Sequence, residues 1–306
     1  MRQFPPVALI GAPTDIGAGH RGASMGPEAL RVAGIASALA ARGLDVRDTG
    51  NLSGPFNPWT EPVEGYRHLA QVVEWNRIAM EAVGGALDRG ELPILLGGDH
   101  SLGVGSITAV ARHCRERGKK LRIMWLDAHA DFNTHVITPS GNVHGMPVAC
   151  LCGIGPRELT HLGGDAPAIR PDELRQIGIR SVDPGEKRLV REHGLDIYDM
   201  RYIDEVGMKR AMEEALEGLD ADTHLHVSFD VDFLDPEIAP GVGTTIPGGP
   251  NYREAQLVME MIADSERMGS LDIVELNPAL DHRNATAELA VDLVESLFGK
   301  STLMRG

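Results

Sequence analysis

The feature that most constrains this chain is an alternation that recurs along its whole length. Short apolar runs, ended by glycine, proline or aspartate, give way to longer stretches with a period near 3.6. Val7–Gly11, Pro93–Leu96, Leu121–Leu126, Ile177–Ile179, His224–Phe229 and Leu271–Glu275 read as buried strands. Pro27–Ala41, Tyr66–Leu87, Tyr202–Leu216, Tyr252–Met268 and Ala285–Phe298 read as helices, with Pro27 at a first helical position. Strands separated by helices pair in parallel through right-handed crossovers, and strands this apolar need both faces covered. The expected fold is α/β: a single three-layer α/β/α domain with a mostly parallel sheet, spanning residues 1–306. Such sheets present ligands at the carboxyl ends of their strands.

Charge narrows the function classes. Asp and Glu number 44 against 29 Lys and Arg, a formal net charge of −15. That argues against nucleic-acid and anionic-membrane partners, and it suits metal ions and cationic ligands. No apolar run approaches the roughly 20 residues that span a bilayer, and the one near the N-terminus is too short for a signal peptide. Three cysteines (Cys114, Cys150 and Cys152) are too few for a disulfide framework. A cytoplasmic, reducing location is expected.

Unusual polar groups gather where predicted strands end. In an extended chain, residues two apart share a face, so Asp127, His129 and Asp131 project together, and Asp230 and Asp232 repeat the pattern. Carboxylates this close repel, and burying them uncompensated is expensive. A cation resolves the conflict. With His100 there are six candidate ligands (His100, Asp127, His129, Asp131, Asp230 and Asp232), too many for one four-coordinate zinc. They suit two octahedral-leaning divalent ions, with Mn²⁺ favoured and Fe, Co or Zn able to enter the same cage. Two ions about 3.5–4 Å apart lower the pKa of a shared water towards about 7, which points to metal-assisted hydrolysis of a planar, unreactive carbon. The following loop, 132–147, is dense in hydroxyl and amide groups. Such donors suit a carboxylate ligand, and they equally make turns. His226 shares a strand face with Ser228 and Asp230 and reads as a hydrogen-bonded core histidine. The stretch Gly97–Gly105 lacks the Gly-Lys-Ser/Thr ending of a phosphate loop.

The motifs GGDHS (97–101), DAHAD (127–131), SFDVDFLDP (228–236) and ELNP (275–278), in that order, resemble the ureohydrolase (arginase–agmatinase) family, and within it the bacterial-type arginases. The similarity runs from Gly11-Ala12-Pro13 to the Ala285–Gly299 helix. It implies two Mn²⁺ per chain, one held by His100, Asp127, Asp131 and Asp230, the other by His129, Asp127, Asp230 and Asp232. It implies that Asp131 orients a metal-bridging hydroxide, that His144 shuttles a proton, and that Glu275, with Thr244 nearby, fixes a substrate guanidinium. Asn133, Thr138, Ser140 and Asn142 resemble the arginase segment that reads an α-carboxylate, while Asp183 and Glu186 match residues near the α-amino group. The implied reaction converts L-arginine and water to L-ornithine and urea in a homo-oligomer, hexamer or trimer. A sibling ureohydrolase acting on agmatine or guanidinobutyrate is the alternative, followed by a one-zinc deacetylase-like hydrolase and a non-catalytic metal-binding protein. Three positions depart from the family pattern: Phe233 where a small residue is frequent, Thr245 where proline is common, and Ser181 where some arginases carry aspartate.

Overall fold

A computed structural model describes residues 4–164, 167–301 and 303. Eight strands form one sheet: β1 (Val7–Ala12), β2 (Val46–Asn51), β3 (Leu92–Gly97), β4 (Lys120–Leu126), β5 (Leu174–Ile179), β6 (Asp196–Asp199), β7 (Thr223–Asp230) and β8 (Met268–Val274). Their order is β2-β1-β3-β8-β7-β4-β5-β6, and every pairing is parallel. The expected three-layer α/β/α architecture is what the chain forms.

Strand alternation builds the two covering layers. Val7 and Leu9 of β1, Leu92, Ile94 and Leu96 of β3, and Leu225, Val227 and Phe229 of β7 face one core with the helices at 26–41, 200–215, 252–264 and 285–297. Ala8 and Ile10, Leu95, and Ile123 and Trp125 of β4 face the other, against the helices Leu69–Asp88 and Gly103–Glu116. The first of these helices buries Val72, Trp75, Asn76, Ala79, Val83, Ala86 and Leu87, a stripe at three- and four-residue spacing. Leu95 is completely buried in the central sheet, where truncation to alanine costs about 2–5 kcal/mol.

Several expected elements change in the structure. The predicted helix Pro27–Ala41 is two helices, Gly26–Val32 and Ile35–Ala41, and Tyr202–Leu216 is also two, Met200–Val206 and Met208–Ala215. Gly34 (φ 84°) and Gly207 (φ 85°) turn the chain left-handed at each break, which the apolar period alone conceals. The predicted Tyr252–Met268 helix stops at Asp264, and Met268 already begins β8. Two strands were not expected, β2 (VRDTGN) and β6 (DIYD). Both are edge strands, which pair through backbone on one side and need no continuous apolar run. The helix Gly103–Glu116 hides behind its glycine-rich start, and Pro184–His193 behind its polar sequence. Among the described residues, no helix is long and apolar enough to cross a membrane.

Candidate metal centre

The central four strands, β3, β8, β7 and β4, carry the polar motifs at their carboxyl ends, as parallel sheets require. Their meeting depends on close backbone approach. Gly98 N donates to Ala12 O at 3.1 Å, Asp99 N to Thr14 O at 3.0 Å, and Glu275 N to Gly98 O at 2.8 Å. A Cβ on Gly98 would lie 1.7 Å from Thr14 O, so only glycine lets the ends of β1, β3 and β8 converge. Asp99 then takes an extended backbone and its carboxylate accepts from Ser101 N at 3.0 Å and Gly17 N at 2.9 Å. This launches the turn on which His100 sits.

His100 Nδ1 faces three carboxylates: Asp230 Oδ2 at 3.0 Å, Asp127 Oδ2 at 3.1 Å and Asp131 Oδ2 at 3.3 Å. Its Nε2 is bonded to Ser228 Oγ at 2.8 Å. The ring stacks on Trp125, 3.9 Å between centroids and 6° between planes. Trp125 in turn donates Nε1–H to Asp127 Oδ2 at 2.8 Å. His129 Nδ1 lies 3.1 Å from Asp232 Oδ2 and 3.4 Å from Asp127 Oδ1. Two clusters, His100–Asp127–Asp230 and Asp127–His129–Asp232, therefore share Asp127, with donor atoms close enough to hold an ion each.

Strand alternation is not what brings Asp131 in. β4 ends at Leu126, and Asp131 adopts φ 49°, a left-handed conformation that is costly for a residue with a side chain. That turn, rather than a period of two, points its carboxylate at His100. Glu275 is also left-handed, at φ 63°. Strain at two residues of one site is tolerated only where the surroundings over-determine it. Asp232 lies in a short 3₁₀ turn, Val231–Phe233, and donates its N–H to Asp230 Oδ1 at 2.7 Å.

The charges conflict without a cation. Burial and then the neighbouring Asp127 push the Asp131 carboxyl well above its usual range, and burial followed by Asp232 and Asp127 does the same to Asp230. Burial disfavours the charged form of His129, yet Asp232 and Asp127 outweigh it and hold its pKa well up. A mixed oxygen and imidazole set of this kind fits hard, octahedral-leaning divalent ions, whose binding displaces the ligands' protons into solvent.

A narrow cavity of about 100 Å³ borders the cage, lined by His129, Asp131, Asn133, His144, Ser181, Asp183, Glu186, Asp230, Asp232, Thr244 and Glu275 among others. Glu275 Oε1 accepts from His100 N at 2.8 Å and from His144 Nδ1 at 2.9 Å. Burial lowers the His144 pKa, but Glu275 more than offsets this and raises it above the ordinary imidazole value. Thr244 donates its hydroxyl to Asp232 Oδ2 at 2.9 Å. Asn133 Nδ2 donates to Asp183 Oδ2 at 3.1 Å, and Asn133 Oδ1 is buried with no partner among the described residues. Glu186 Oε1 accepts from Phe132 N at 2.8 Å and Oε2 from Asp183 N at 3.1 Å, tying the helix Pro184–His193 to the Asp131 turn. Burial lifts its pKa to about 7.

Thr138, Ser140 and Asn142 lie outside that lining. Thr138 Oγ1 accepts from Gly141 N at 3.1 Å, Ser140 Oγ from Asn142 N at 3.2 Å, and Asn142 Oδ1 from Arg67 Nε at 2.7 Å, so their side chains shape the loop itself. A larger cavity of about 630 Å³ sits beside the Pro13–Met25 loop. Its carboxylate, Asp15, already accepts from Gly22 N, Ser24 Oγ and Asn57 Nδ2, and the ligand cage is not among its walls. The chemistry therefore belongs to the smaller cavity. Sequence reasoning overlooked Trp125, although alternation puts it on the face of Asp127, and Arg180, whose role no local pattern announces.

The Arginase family profile matches residues 5–299. An arginase of Bacillus caldovelox is 44% identical over 301 residues, covering 97% of this chain and 99% of that one. An arginase of Brucella melitensis is 45% identical over 299 residues, covering 97% of each. Among solved structures, Entamoeba histolytica arginase in complex with L-ornithine has a TM-score of 0.88 at 31% identity, covering 98% of this chain and 100% of that one.

Proposed function

The chain belongs to the arginase family of hydrolases, and from that premise we propose that it converts L-arginine and water to L-ornithine and urea with two manganese ions in the His–Asp cage. The observation that carries this reading is the pair of ligand clusters sharing Asp127 beside a cavity that also holds Glu275, His144 and Asn133. One ion would be held by His100, Asp127, Asp131 and Asp230, and the other by His129, Asp127, Asp230 and Asp232. When bound, the ions supply the Lewis acidity that makes water a nucleophile at neutral pH.

The chain's own groups do the rest. Glu275 is anchored through Oε1, and its Oε2 is left to accept a charge-assisted hydrogen bond from the planar guanidinium. This holds the guanidinium carbon beside Asp131. Asp131 accepts a hydrogen bond from the attacking water and orients it, and the strained backbone keeps that carboxylate from relaxing away. His144, kept basic by Glu275, carries a proton to the leaving amine. Thr244 holds the carboxylate of Asp232 in place.

Substrate choice rests on the far end of the cavity. The orphaned Asn133 Oδ1 and the Asp183 carboxylate suit the α-ammonium group, with Glu186 fixing the backbone between them. The loop donors of Thr138, Ser140 and Asn142 take the α-carboxylate at the mouth. Agmatine has no α-carboxylate, and a site built around a polar group rejects ligands that leave it unpaired. The ornithine complex of the Entamoeba histolytica relative supports the product assignment. We place the enzyme in the cytoplasm as a homo-oligomer, hexamer or trimer, which light scattering after gel filtration would contradict by finding a monomer. The decisive assay is urea release from manganese-loaded protein on arginine, agmatine and guanidinobutyrate. Arginine is expected to be strongly preferred, and a preference for agmatine would overturn the substrate assignment.

A further inference from the structure

Arg180 follows β5 and is partly buried. Its guanidinium donates only to main-chain carbonyls: Nε to Ile246 O at 3.0 Å, Nη1 to Gly178 O at 3.2 Å and Phe233 O at 3.0 Å, and Nη2 to Asp232 O at 2.8 Å, Ile246 O at 2.9 Å and Leu234 O at 3.1 Å. Three of these carbonyls, from 232, 233 and 234, are consecutive and end the 3₁₀ turn that carries Asp232. Such terminal carbonyls lack partners within the turn and need an outside donor. The Ile246 carbonyl belongs to the segment that carries Thr244, whose hydroxyl bonds the Asp232 carboxylate. The main chain of Arg180 reaches the remaining side, donating N–H to Ala128 O at 2.8 Å, between Asp127 and His129. One residue thus ties together the segments that carry Asp127, His129, Asp232 and Thr244. No carboxylate pairs with it among the described residues, so its charge is free to offset the acidic cage.

We infer that Arg180 is a positioning residue for the ion site formed by Asp127, His129 and Asp232, holding the main chain of those ligands in register through its fan of carbonyl bonds. The inference rests on the two-ion reading above. A planar fork with five N–H donors can serve this set of carbonyls; a lysine ammonium, with three donors on a point charge, cannot. The effect should be selective. The other cluster draws its histidine from the 100 turn, which Arg180 does not touch.

The test is metal binding by the full chain, stripped and then dialysed against Mn²⁺, read by metal count and electron paramagnetic resonance. Parent protein is expected to bind two ions per chain with the signal of a coupled pair. Arg180→Lys is expected to keep one ion and bind the second about 10- to 100-fold more weakly, with the six-line signal of isolated Mn²⁺ appearing. Gly249→Ala leaves the Arg180 side chain in place but displaces it, because its Cβ would lie 2.6 Å from Arg180 Nη2, and it also presses on the adjoining main chain at 2.8 Å from Asp235 N. It should shift the second affinity in the same direction, and it carries the test if Arg180→Lys does not fold. Arg31→Lys breaks an arginine cluster with Asp48, Glu28 and Asn51 at the far edge of the sheet and should keep both ions. Unchanged affinities in both the Arg180 and Gly249 variants overturn the inference, as does equal loss of both ions. A parent that binds no pair of ions overturns the proposed function itself, and this inference with it.

Discussion

Ser228→Ala removes one oxygen from a completely buried position and leaves no appreciable cavity. What it removes is the partner of His100 Nε2, a bond of 2.8 Å. The bond keeps the proton on Nε2 and so leaves the Nδ1 lone pair pointing at Asp127, Asp131 and Asp230. Without it, a buried ring N–H is unsatisfied, which costs about 1–3 kcal/mol. At about 2.1 cal/mol/K per residue, a chain of 306 residues unfolds with an entropy near 0.64 kcal/mol/K, so the metal-free midpoint should fall by about 2–5 °C. The ring should also lose its fixed tautomer, weakening the ion at His100 by about 10- to 100-fold. Calorimetry of the stripped protein and titration with Mn²⁺ measure the two effects separately. Ser228→Thr restores a hydroxyl and should recover most of the metal affinity. An alanine variant with parental metal affinity would show that Trp125 stacking alone orients the ring and would refute the reasoning.

Three further outcomes are expected. Asp183→Ala should lower kcat/KM on arginine by about 100-fold or more while changing the agmatine rate by less than about tenfold, since the buried Asn133 loses its acceptor; equal losses would remove Asp183 from substrate selection. His144→Ala should reduce kcat by about 10²–10⁴ with little change in KM, measured as urea release, and an unchanged kcat would require another proton carrier. His224, buried against Ser270, has its pKa lowered by burial and by His226 to about 3. The unfolded chain therefore binds the extra proton between about pH 6.5 and 3, so stability is full above that window and falls as pH drops through it, by on the order of 5 kcal/mol from this group. Urea denaturation of His224→Gln across that range should give a flatter profile than the parent, and parallel profiles would contradict the assignment.

Much of the architecture was legible because its signals are local. A buried parallel strand such as β3 reads as a near-continuous apolar run, and a helix such as Leu69–Asp88 must repeat its core contacts every three to four residues. The two glycine breaks and the edge strands β2 and β6 escaped because a left-handed residue or a one-sided backbone ladder leaves no mark in hydrophobic periodicity.

The amino-acid sequence alone determined the kind of fold and the identity of the six candidate ligands, since carboxylates ending apolar strands demand a compensating charge wherever they meet. Only the tertiary structure decided how they meet. The clusters share Asp127, Asp131 enters through a left-handed turn rather than by strand alternation, and the Thr138 and Ser140 oxygens accept main-chain N–H groups of their own loop. Arg180 likewise takes its partners from residues 178, 232–234 and 246. A hydrogen bond between residues dozens of positions apart depends on where the sheet brings the chain back, and no neighbouring residue encodes that return.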